Sequence, residues 1–474
     1  MRKLVAVALL PLLSLTGCTV GPKYNRPTFQ PPATFYTEDQ ARQISIADYG
    51  WWDLFKDPVL QTLIHEALKN NYDLQLALAR VEQERALAGV SRSLYFPQVG
   101  YDGNISGQQS PTLPNHTYYG YSISTVWEID LFGRIRKLNE AQRAVYFSSE
   151  EAKRDVRLLI MSEVAQGYFQ LRAVDAQLEI SHRTVKSFQD TLEIFQHRME
   201  GGYSSGLETS RAQAALSNVA ATIPDLERQV VAEENALDLL LGRNPGSIPR
   251  GAALADQYDP PDVPAGLPAS LLERRPDLRE AEQNLISANA NVGVAKANFF
   301  PTISLSGVFG GLSPQLSELT AAGKAWSLAG DLAGPIFTGG RLKGQYNAAL
   351  AQRDQARITF EKAVTQAFGE VSTSLSAHQQ LAKAYREQMS SVEAYRESVR
   401  LSSIRYDSGL SSYLEIIDAQ IQMYPAESAT VNYDLGRKLA LVQLYRALGG
   451  GWNLNDSQWT STSGTSGATQ SPTP

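Results

Sequence analysis

The chain repeats itself, and an internal repeat limits the possible folds more than any short motif does. Asp73-Leu74, Gly89-Val90 and Tyr95-Phe96-Pro97 recur as Asp277-Leu278, Gly293-Val294 and Phe299-Phe300-Pro301 at one constant shift (277 − 73 = 204; 301 − 97 = 204). Further on, Gly133-Arg134 recurs as Gly340-Arg341, Glu163-Val164 as Glu370-Val371 and Gly202 as Gly409. Leu207-Glu208 and Leu241-Gly242 recur as Leu414-Glu415 and Leu448-Gly449, and in this block the shift is 207 (340 − 133 = 207). Three residues inserted in a loop between the two blocks account for the difference. Two copies of one architectural unit therefore make up most of the 474 residues.

Within each copy the hydrophobic period changes in the same order. From about Leu60 to Leu94 the pattern is helical. Beyond Pro97 it drops to two, with Tyr119, Tyr121, Ile123, Thr125, Trp127 and Ile129 alternating with small or polar residues, as a strand with one apolar face requires. A loop from Gln108 to Thr117, containing Pro111 and Pro114, separates this strand from one begun at Val99, so the pair reads as a hairpin. The second copy offers Ile303, Leu305 and Phe309, then a return through Trp326, Leu328 and Leu332.

A very long helix follows each hairpin. Val164, Leu171, Leu178, Val185, Leu192 and Met199 fall every seven residues. Beside them runs a second row of Ile160, Val174, Phe188 and Phe195, with Gly167 and Ser181 as gaps. This is an a/d seam and implies coiled-coil packing. The second copy keeps it more loosely through Val371, Tyr385, Val392, Val399 and Tyr406, interrupted by His378. From Leu138 to Glu200 such a helix measures about 95 Å at 1.5 Å per residue. Gly201-Gly202 ends it, and a second helix returns from Leu207 to Leu241. Pro224 and Pro425 fall inside the returning helices and should bend them.

Hydrophobic residues are 43% and charged ones 19%, an ordinary globular balance, and the net charge of −6 argues against nucleic acid as a partner. Nothing after residue 20 approaches the roughly 18 unbroken apolar residues of a membrane helix, so any span must be β. Four strands cannot close a membrane barrel, since the smallest need about eight. Three chains supply twelve, which points to a homotrimer. At the N-terminus, Arg2 and Lys3 precede the apolar stretch Leu4 to Leu15, as in a signal peptide, and Leu15-Thr16-Gly17-Cys18 resembles a bacterial lipobox. Cys18 is the only cysteine, which excludes disulfides within the chain and leaves this residue as the expected lipidation site. Thr19, in place of the Asp that retains lipoproteins in the inner membrane, favours the outer membrane and its lipid.

These residues resemble the TolC-type outer-membrane efflux proteins, specifically the lipoprotein branch of tripartite RND-type efflux systems. The matching pieces are Cys18-Thr19-Val20-Gly21-Pro22-Lys23-Tyr24 with Arg26-Pro27, Trp51-Trp52 with Phe55 and Asp57, and Arg274-Arg275-Pro276-Asp277-Leu278. Ala297-Asn298-Phe299-Phe300-Pro301, Pro335-Ile336-Phe337 before Gly339-Gly340, and Leu448-Gly449-Gly450-Gly451-Trp452 complete the set. The resemblance implies a fold that is mainly α with a membrane β-barrel. In it, the duplicated strand–strand–long-helix-hairpin repeat builds a trimeric 12-stranded β-barrel plus a 12-helix periplasmic α-barrel. It also implies a passive duct served by an inner-membrane RND-type transporter through a periplasmic adaptor, exporting small molecules such as drugs or metal ions.

The expected divisions are a signal peptide at 1–17, a lipid-anchored extended segment at 18–59, repeats at 60–242 and 264–452 joined by a linker at 243–263, and a disordered Ser/Thr/Gly-rich tail from 453. No catalytic arrangement is present in the sequence. His65, His116, His182, His197 and His378 lack metal-ligand spacing, no phosphate-binding loop occurs, and no cofactor is expected beyond a lipid on Cys18.

Functional candidates lie at the tips of the helical hairpins. The resemblance assigns Leu414 and Asp418 to the constriction of a closed channel and Tyr406 to bonds that keep it shut, with Glu415 at a position that is acidic in some members. Ser412 with Glu415, and Ser205 with Glu208, equally fit helix-capping boxes, so each glutamate is a candidate for either role. Asp418 lies beyond the cap, and its counterpart is Arg211 (418 − 211 = 207). The charge there is no requirement of the repeated fold, and a salt bridge between Arg211 and Asp418 of neighbouring hairpins is a candidate lock. Two other readings compete with the efflux duct: a type I protein-secretion conduit of the same architecture, and a lipid-anchored coiled-coil scaffold without a pore.

Overall fold

A computed structural model describes residues 19–30, 34–35, 45–108, 116–203, 205–259, 265–266, 268–320, 324–451, 453–454 and 456–459. Cys18 with the apolar stretch before it, Pro111, Pro114, Trp452 and everything beyond Trp459 lie outside them. The chain divides into two compact units, one drawn from Met1–Phe29, Leu78–Ala152 and Asp277–Ala363, the other from Gln30–Ala77, Lys153–Pro276 and Val364–Pro474.

The expected helix over 60–94 is two helices, α1 (Pro58–Asn70) and α2 (Tyr72–Ser93). Asn71 makes the break. Its Oδ1 accepts from the amides of Asp73 and Leu74, at 2.8 and 3.1 Å, and so caps α2. Its Nδ2 donates to Leu240 O at 2.9 Å.

In the first unit, β1 (Gln98–Gln108) and β2 (His116–Ile129) form one antiparallel hairpin, β3 (Thr302–Ser313) and β4 (Lys324–Ala333) the other. β2 also pairs with β3, so both repeats contribute to a single four-stranded sheet in the order β1-β2-β3-β4. Gln98 faces Val126 in one hairpin and Thr302 faces Ala333 in the other. The opening residues differ by 204 (302 − 98) and the closing ones by 207 (333 − 126). The three extra residues therefore sit in the β3–β4 connection.

The N-terminal segment is bound into the same unit. The Val20 amide donates to Phe132 O at 3.1 Å, the Tyr24 hydroxyl donates to Glu282 at 3.0 Å, and Arg26 pairs with Glu282 at 2.9 Å. Gly21, at φ +132°, approaches helix α6 (Pro276–Ala297) so closely that an added Cβ would lie 2.6 Å from Gly293 Cα.

Two helices of equal length follow the hairpins, α3 (Arg134–Glu200) and α7 (Arg341–Asp407), each of 67 residues and related by the 207 shift (341 − 134; 407 − 200). Before α7, Gly339 and Gly340 have φ of +56° and +88° and turn the chain from strand to helix. In the second unit the seam is the core. Val164, Leu171 and Val371 are fully buried with Leu60, Ile64, Leu237, Val442 and Leu444. Ser181 is fully buried and Gly167 meets Leu237, so the gaps in the heptad rows are filled by the partner helices.

The returning helices answer their prolines differently. In the first repeat, α4 (Gly206–Ala220) stops four residues before Pro224 and α5 (Thr222–Leu240) begins beyond Ala221. Proline lacks an amide hydrogen and crowds the carbonyl four residues back, which is Ala220. In the second repeat, α8 (Leu414–Ala447) continues through Pro425. Near the C-terminus, a helical turn at Asp456–Trp459 buries Trp459 in the main core, within the stretch whose Ser/Thr/Gly content suggested disorder from 453.

Candidate functional site

Both long helices end in the same way. The Gly202 and Gly409 amides donate three residues back, to Met199 O and Tyr406 O, and the Tyr203 and Leu410 amides donate five back, to Arg198 O and Arg405 O. These are Schellman turns, and they require the positive φ of Gly202 (+75°) and Gly409 (+71°).

Beneath the turns the halves differ. Tyr413, whose first-repeat counterpart is Gly206 (413 − 207 = 206), is packed edge-on against Phe195 at 4.6 Å and Tyr406 at 5.0 Å between ring centroids. Its hydroxyl lies 2.8 Å from Thr191 Oγ1, and burial raises its pKa. The Arg198 guanidinium sits 4.9 Å from the Tyr406 ring centroid. Phe195, Leu192, Ala212, Ile416 and Ile417 complete this cluster. The sequence reading gave Tyr413 no role. Its replacement of a glycine in the repeat was the available signal.

The two capping boxes do not both form. Glu208 accepts from the Ser205 amide at 3.0 Å, as a capping box requires. In the second repeat the residue before α8 is Tyr413, with no side-chain cap, and Glu415 instead accepts from Arg405 Nε at 3.2 Å. The arginine counterparts diverge accordingly: Arg405 pairs within its own hairpin, whereas Arg198 lies over Tyr406 of the other.

Arg211, Leu414, Glu415 and Asp418 line one groove of about 1010 Å³ between α4 and α8. Neither Arg211 nor Asp418 has an ion-pair partner among the described residues, so the expected bridge is not made within one chain. Leu414 and its counterpart Leu207 are both exposed. Tyr406 is packed beneath the tip, and its buried hydroxyl has no hydrogen-bond partner among the described residues.

Farther from the tips, buried polar groups tie the second unit together. Asp57 caps α1 by accepting from the Val59 amide at 2.9 Å. It also accepts from Tyr168 Oη, Gln257 Nε2 and the Ala252 amide, at 2.8, 2.7 and 3.0 Å. Burial works against its charged form, but these hydrogen bonds outweigh it and hold the carboxyl below the usual range. Among the described residues no group of three or more candidate metal ligands occurs.

The sheet is the other functional surface. Cβ atoms alternate across a strand, and the register places Val99, Tyr101, Ile105, Tyr119, Tyr121, Ile123, Trp127, Leu305, Phe309, Trp326, Leu328 and Leu332 on one face. The opposite face carries Asp102, Asn104, Ser122, Ser124, Ser304, Ser306, Ser327 and Asp331. In the single chain Val99, Tyr101, Ile105, Trp326, Leu328 and Leu332 are each at least 72% exposed. So broad an uncovered apolar face suits lipid rather than water. No described helix is long and apolar enough to cross a membrane.

The outer membrane efflux protein family model matches residues 63–243 and 267–450, one match per repeat. The solvent efflux pump outer membrane protein SrpC of Pseudomonas putida is 36% identical, over 96% of this chain and 100% of its own length. The cation efflux system protein CusC of Escherichia coli (strain K12) is 32% identical, over 93% of this chain and 97% of its own. Among solved structures, the open state of the MtrE outer membrane channel of Neisseria gonorrhoeae superposes with a TM-score of 0.84. It is 32% identical and covers 92% of this chain and 99% of that one.

Proposed function

The chain belongs to the outer membrane efflux protein family and is an outer-membrane efflux channel, and we propose that it works as a homotrimeric passive duct in a tripartite pump. The two-faced sheet carries this reading. Three copies supply twelve strands, the apolar face meets lipid, and the polar face lines a wet lumen. The long helices of both repeats form the periplasmic α-barrel, acylated Cys18 anchors each copy, and the chain itself performs no catalysis. A periplasmic adaptor joins the duct to an inner-membrane RND-type transporter, which supplies the energy and selects the cargo. Relatives at 32–36% identity are named for solvents and for cations, so a shared duct accommodates unlike small molecules.

At the tips, threefold symmetry turns Leu414 into an apolar plug, Glu415 and Asp418 into carboxylate rings, and Tyr406 and Arg211 into partners for neighbouring copies. Glu208 holds the tip helix of the first repeat in place. Carboxylate rings around a narrow lumen concentrate cations. Purified protein should migrate on gels as a heat-modifiable oligomer and conduct ions in planar bilayers. A monomer without conductance under both tests would rule out the duct in favour of a scaffold.

A further inference from the structure

Resting on the duct reading, which puts the long helices on the periplasmic side, we propose that Ile336, Phe337, Arg341 and Lys343 form a docking surface for an anionic phospholipid of the periplasmic leaflet. The four residues span the step from the end of β4 at Ala333 to the first turn of α7, all within the first unit. The other repeat shows what is unusual about them. At its equivalent junction Arg134 pairs with Glu128 at 2.6 Å and Arg136 with Asp130 at 3.1 Å. Asp130 also accepts from the Ile135 and Arg136 amides, at 3.1 and 2.9 Å, so its charge sits at the positive end of α3. Shifted by 207, both basic residues persist as Arg341 and Lys343, and both acids are gone. Pro335 stands in place of Glu128 and Phe337 in place of Asp130 (128 + 207 = 335; 130 + 207 = 337).

Arg341 and Lys343 are exposed, and neither has an ion-pair partner among the described residues; the Arg341 guanidinium reaches Gln345 at 3.5 Å. From 332 to 353 the sequence holds three basic residues and no acid, a net +3. The matching stretch 125–146 holds four basic residues and three acids, a net +1 (4 − 3). Positive charge in a first helical turn opposes the macrodipole, so α7 gains nothing from these residues as α3 gains from Asp130. A phosphate supplied from outside the chain meets both cations and the helix end. Ile336 and Phe337, just before them, are 104% and 90% exposed and follow Leu328 and Leu332 of the apolar sheet face. An apolar step beside two unpaired cations matches the depth at which acyl chains give way to phosphates. The first-repeat junction is covered by the chain itself: an added Cβ at Gly133 would lie 2.8 Å from Thr19 Cγ2, and the Val20 amide donates to Phe132 O. Thr19 adjoins Cys18, the expected acylation site. Gly340, the counterpart of Gly133, has nothing within 4 Å of an added Cβ. One junction is met by the anchored N-terminal segment, and a phospholipid meets the other.

Native mass spectrometry of the purified full-length oligomer tests this, with phosphatidylglycerol and phosphatidylcholine of the same acyl chains as probes. The unsubstituted protein should retain several-fold more phosphatidylglycerol than phosphatidylcholine. Arg341→Gln with Lys343→Gln should abolish that preference and leave the oligomer intact. Lys383→Gln with Arg386→Gln, which removes the same charge from exposed positions farther along α7, should preserve it. Ile336→Ser with Phe337→Ser should weaken retention of both lipids, and excess glycerol 3-phosphate should displace neither. Undiminished phosphatidylglycerol retention in Arg341→Gln with Lys343→Gln, or an equal loss in the two charge variants, overturns the docking surface. Displacement by glycerol 3-phosphate overturns it in favour of a site for free phosphate. Dissociation of the oligomer in Arg341→Gln with Lys343→Gln overturns it in favour of a contact with a neighbouring copy. The duct reading fails separately, through absence of the oligomer and of conductance in the unsubstituted chain.

Discussion

Arg183 on α3 donates to Glu427 on α8 at 2.8 Å, across 244 residues of sequence. Arg396 on α7 donates to the other oxygen at 3.0 Å, so one carboxylate, 5% exposed, joins three helices. The counterpart of Glu427 is Ala220 (427 − 207), so this junction belongs to the second repeat alone. Glu427→Gln removes the charge that two half-exposed arginines share. The expected loss is about 1–3 kcal/mol, the range for hydrogen bonds to charged groups reduced by solvent screening. Chemical unfolding of the detergent-solubilised protein measures it, and Arg183→Ala combined with Arg396→Ala should cost more than Glu427→Gln, because it strands the buried carboxylate without a partner. A smaller loss from the arginines than from the carboxylate would contradict the assignment.

Asp57 should matter more than its one carboxylate suggests. Asp57→Ala leaves Tyr168 Oη, Gln257 Nε2 and two amides without their acceptor, at about 1–3 kcal/mol for each group that stays buried and unpaired. Asp57→Asn keeps one acceptor oxygen and should fall between. The carboxyl is held below its ordinary value of about 3.9, so its charge stabilises the fold above that pH. The contribution is lost as pH falls through the lower folded-state value. Thermal unfolding between pH 7 and pH 2 should therefore lose less stability in Asp57→Asn than in the unsubstituted chain. Gly251→Ala should mimic the damage, because its Cβ would lie 2.2 Å from Asp57 Oδ1.

The repeat, the two hairpins and the equal long helices are legible from sequence because each rests on a period sustained over many residues. The break at Asn71 is legible only in part: its capping of Asp73 and Leu74 is local, but its second partner, Leu240 O, lies 169 residues away. At the tips, Ser412-x-x-Glu415 has the spelling of a capping box, yet Glu415 turns to Arg405, a contact made across the hairpin that no local pattern reports. The tip pattern led to Leu414, Glu415 and Asp418. Tyr413, beside them, was passed over because its meaning lies in what it replaces.

That difference separates capping from gating for the two glutamates. Glu208→Ala removes a cap and should cost about 1 kcal/mol with little effect on conductance. Glu415→Gln removes only an exposed ion pair, worth about 0–1 kcal/mol. A change in cation-to-anion selectivity in bilayers after Glu415→Gln would then report the lumen directly. Equal selectivity of the two variants would reduce Glu415 to a surface contact.

Asp418 and Arg211 share a groove without pairing inside one chain, so any bridge between them joins neighbouring copies. Asp418→Ala and Arg211→Ala should then each raise single-channel conductance, and the double variant should add nothing further. Unchanged closed-state conductance in Asp418→Ala would remove the lock.

Tyr406 offers the sharpest separation of packing from gating. Its ring is held by Tyr413 and Arg198, while its hydroxyl is buried with no partner among the described residues. A buried hydroxyl without an acceptor is unfavourable by about 1–3 kcal/mol, so within a single chain Tyr406→Phe should leave stability unchanged or raise it. The hydroxyl is closed off inside one chain, so it reaches a neighbouring copy to hold the tip closed only if the tip rearranges in the trimer. Tyr406→Phe should then raise conductance without lowering the unfolding midpoint, whereas Tyr406→Ala, which also removes the ring, should lower it. A fall in stability in Tyr406→Phe with unaltered conductance would place the missing partner inside the chain and remove Tyr406 from the gate.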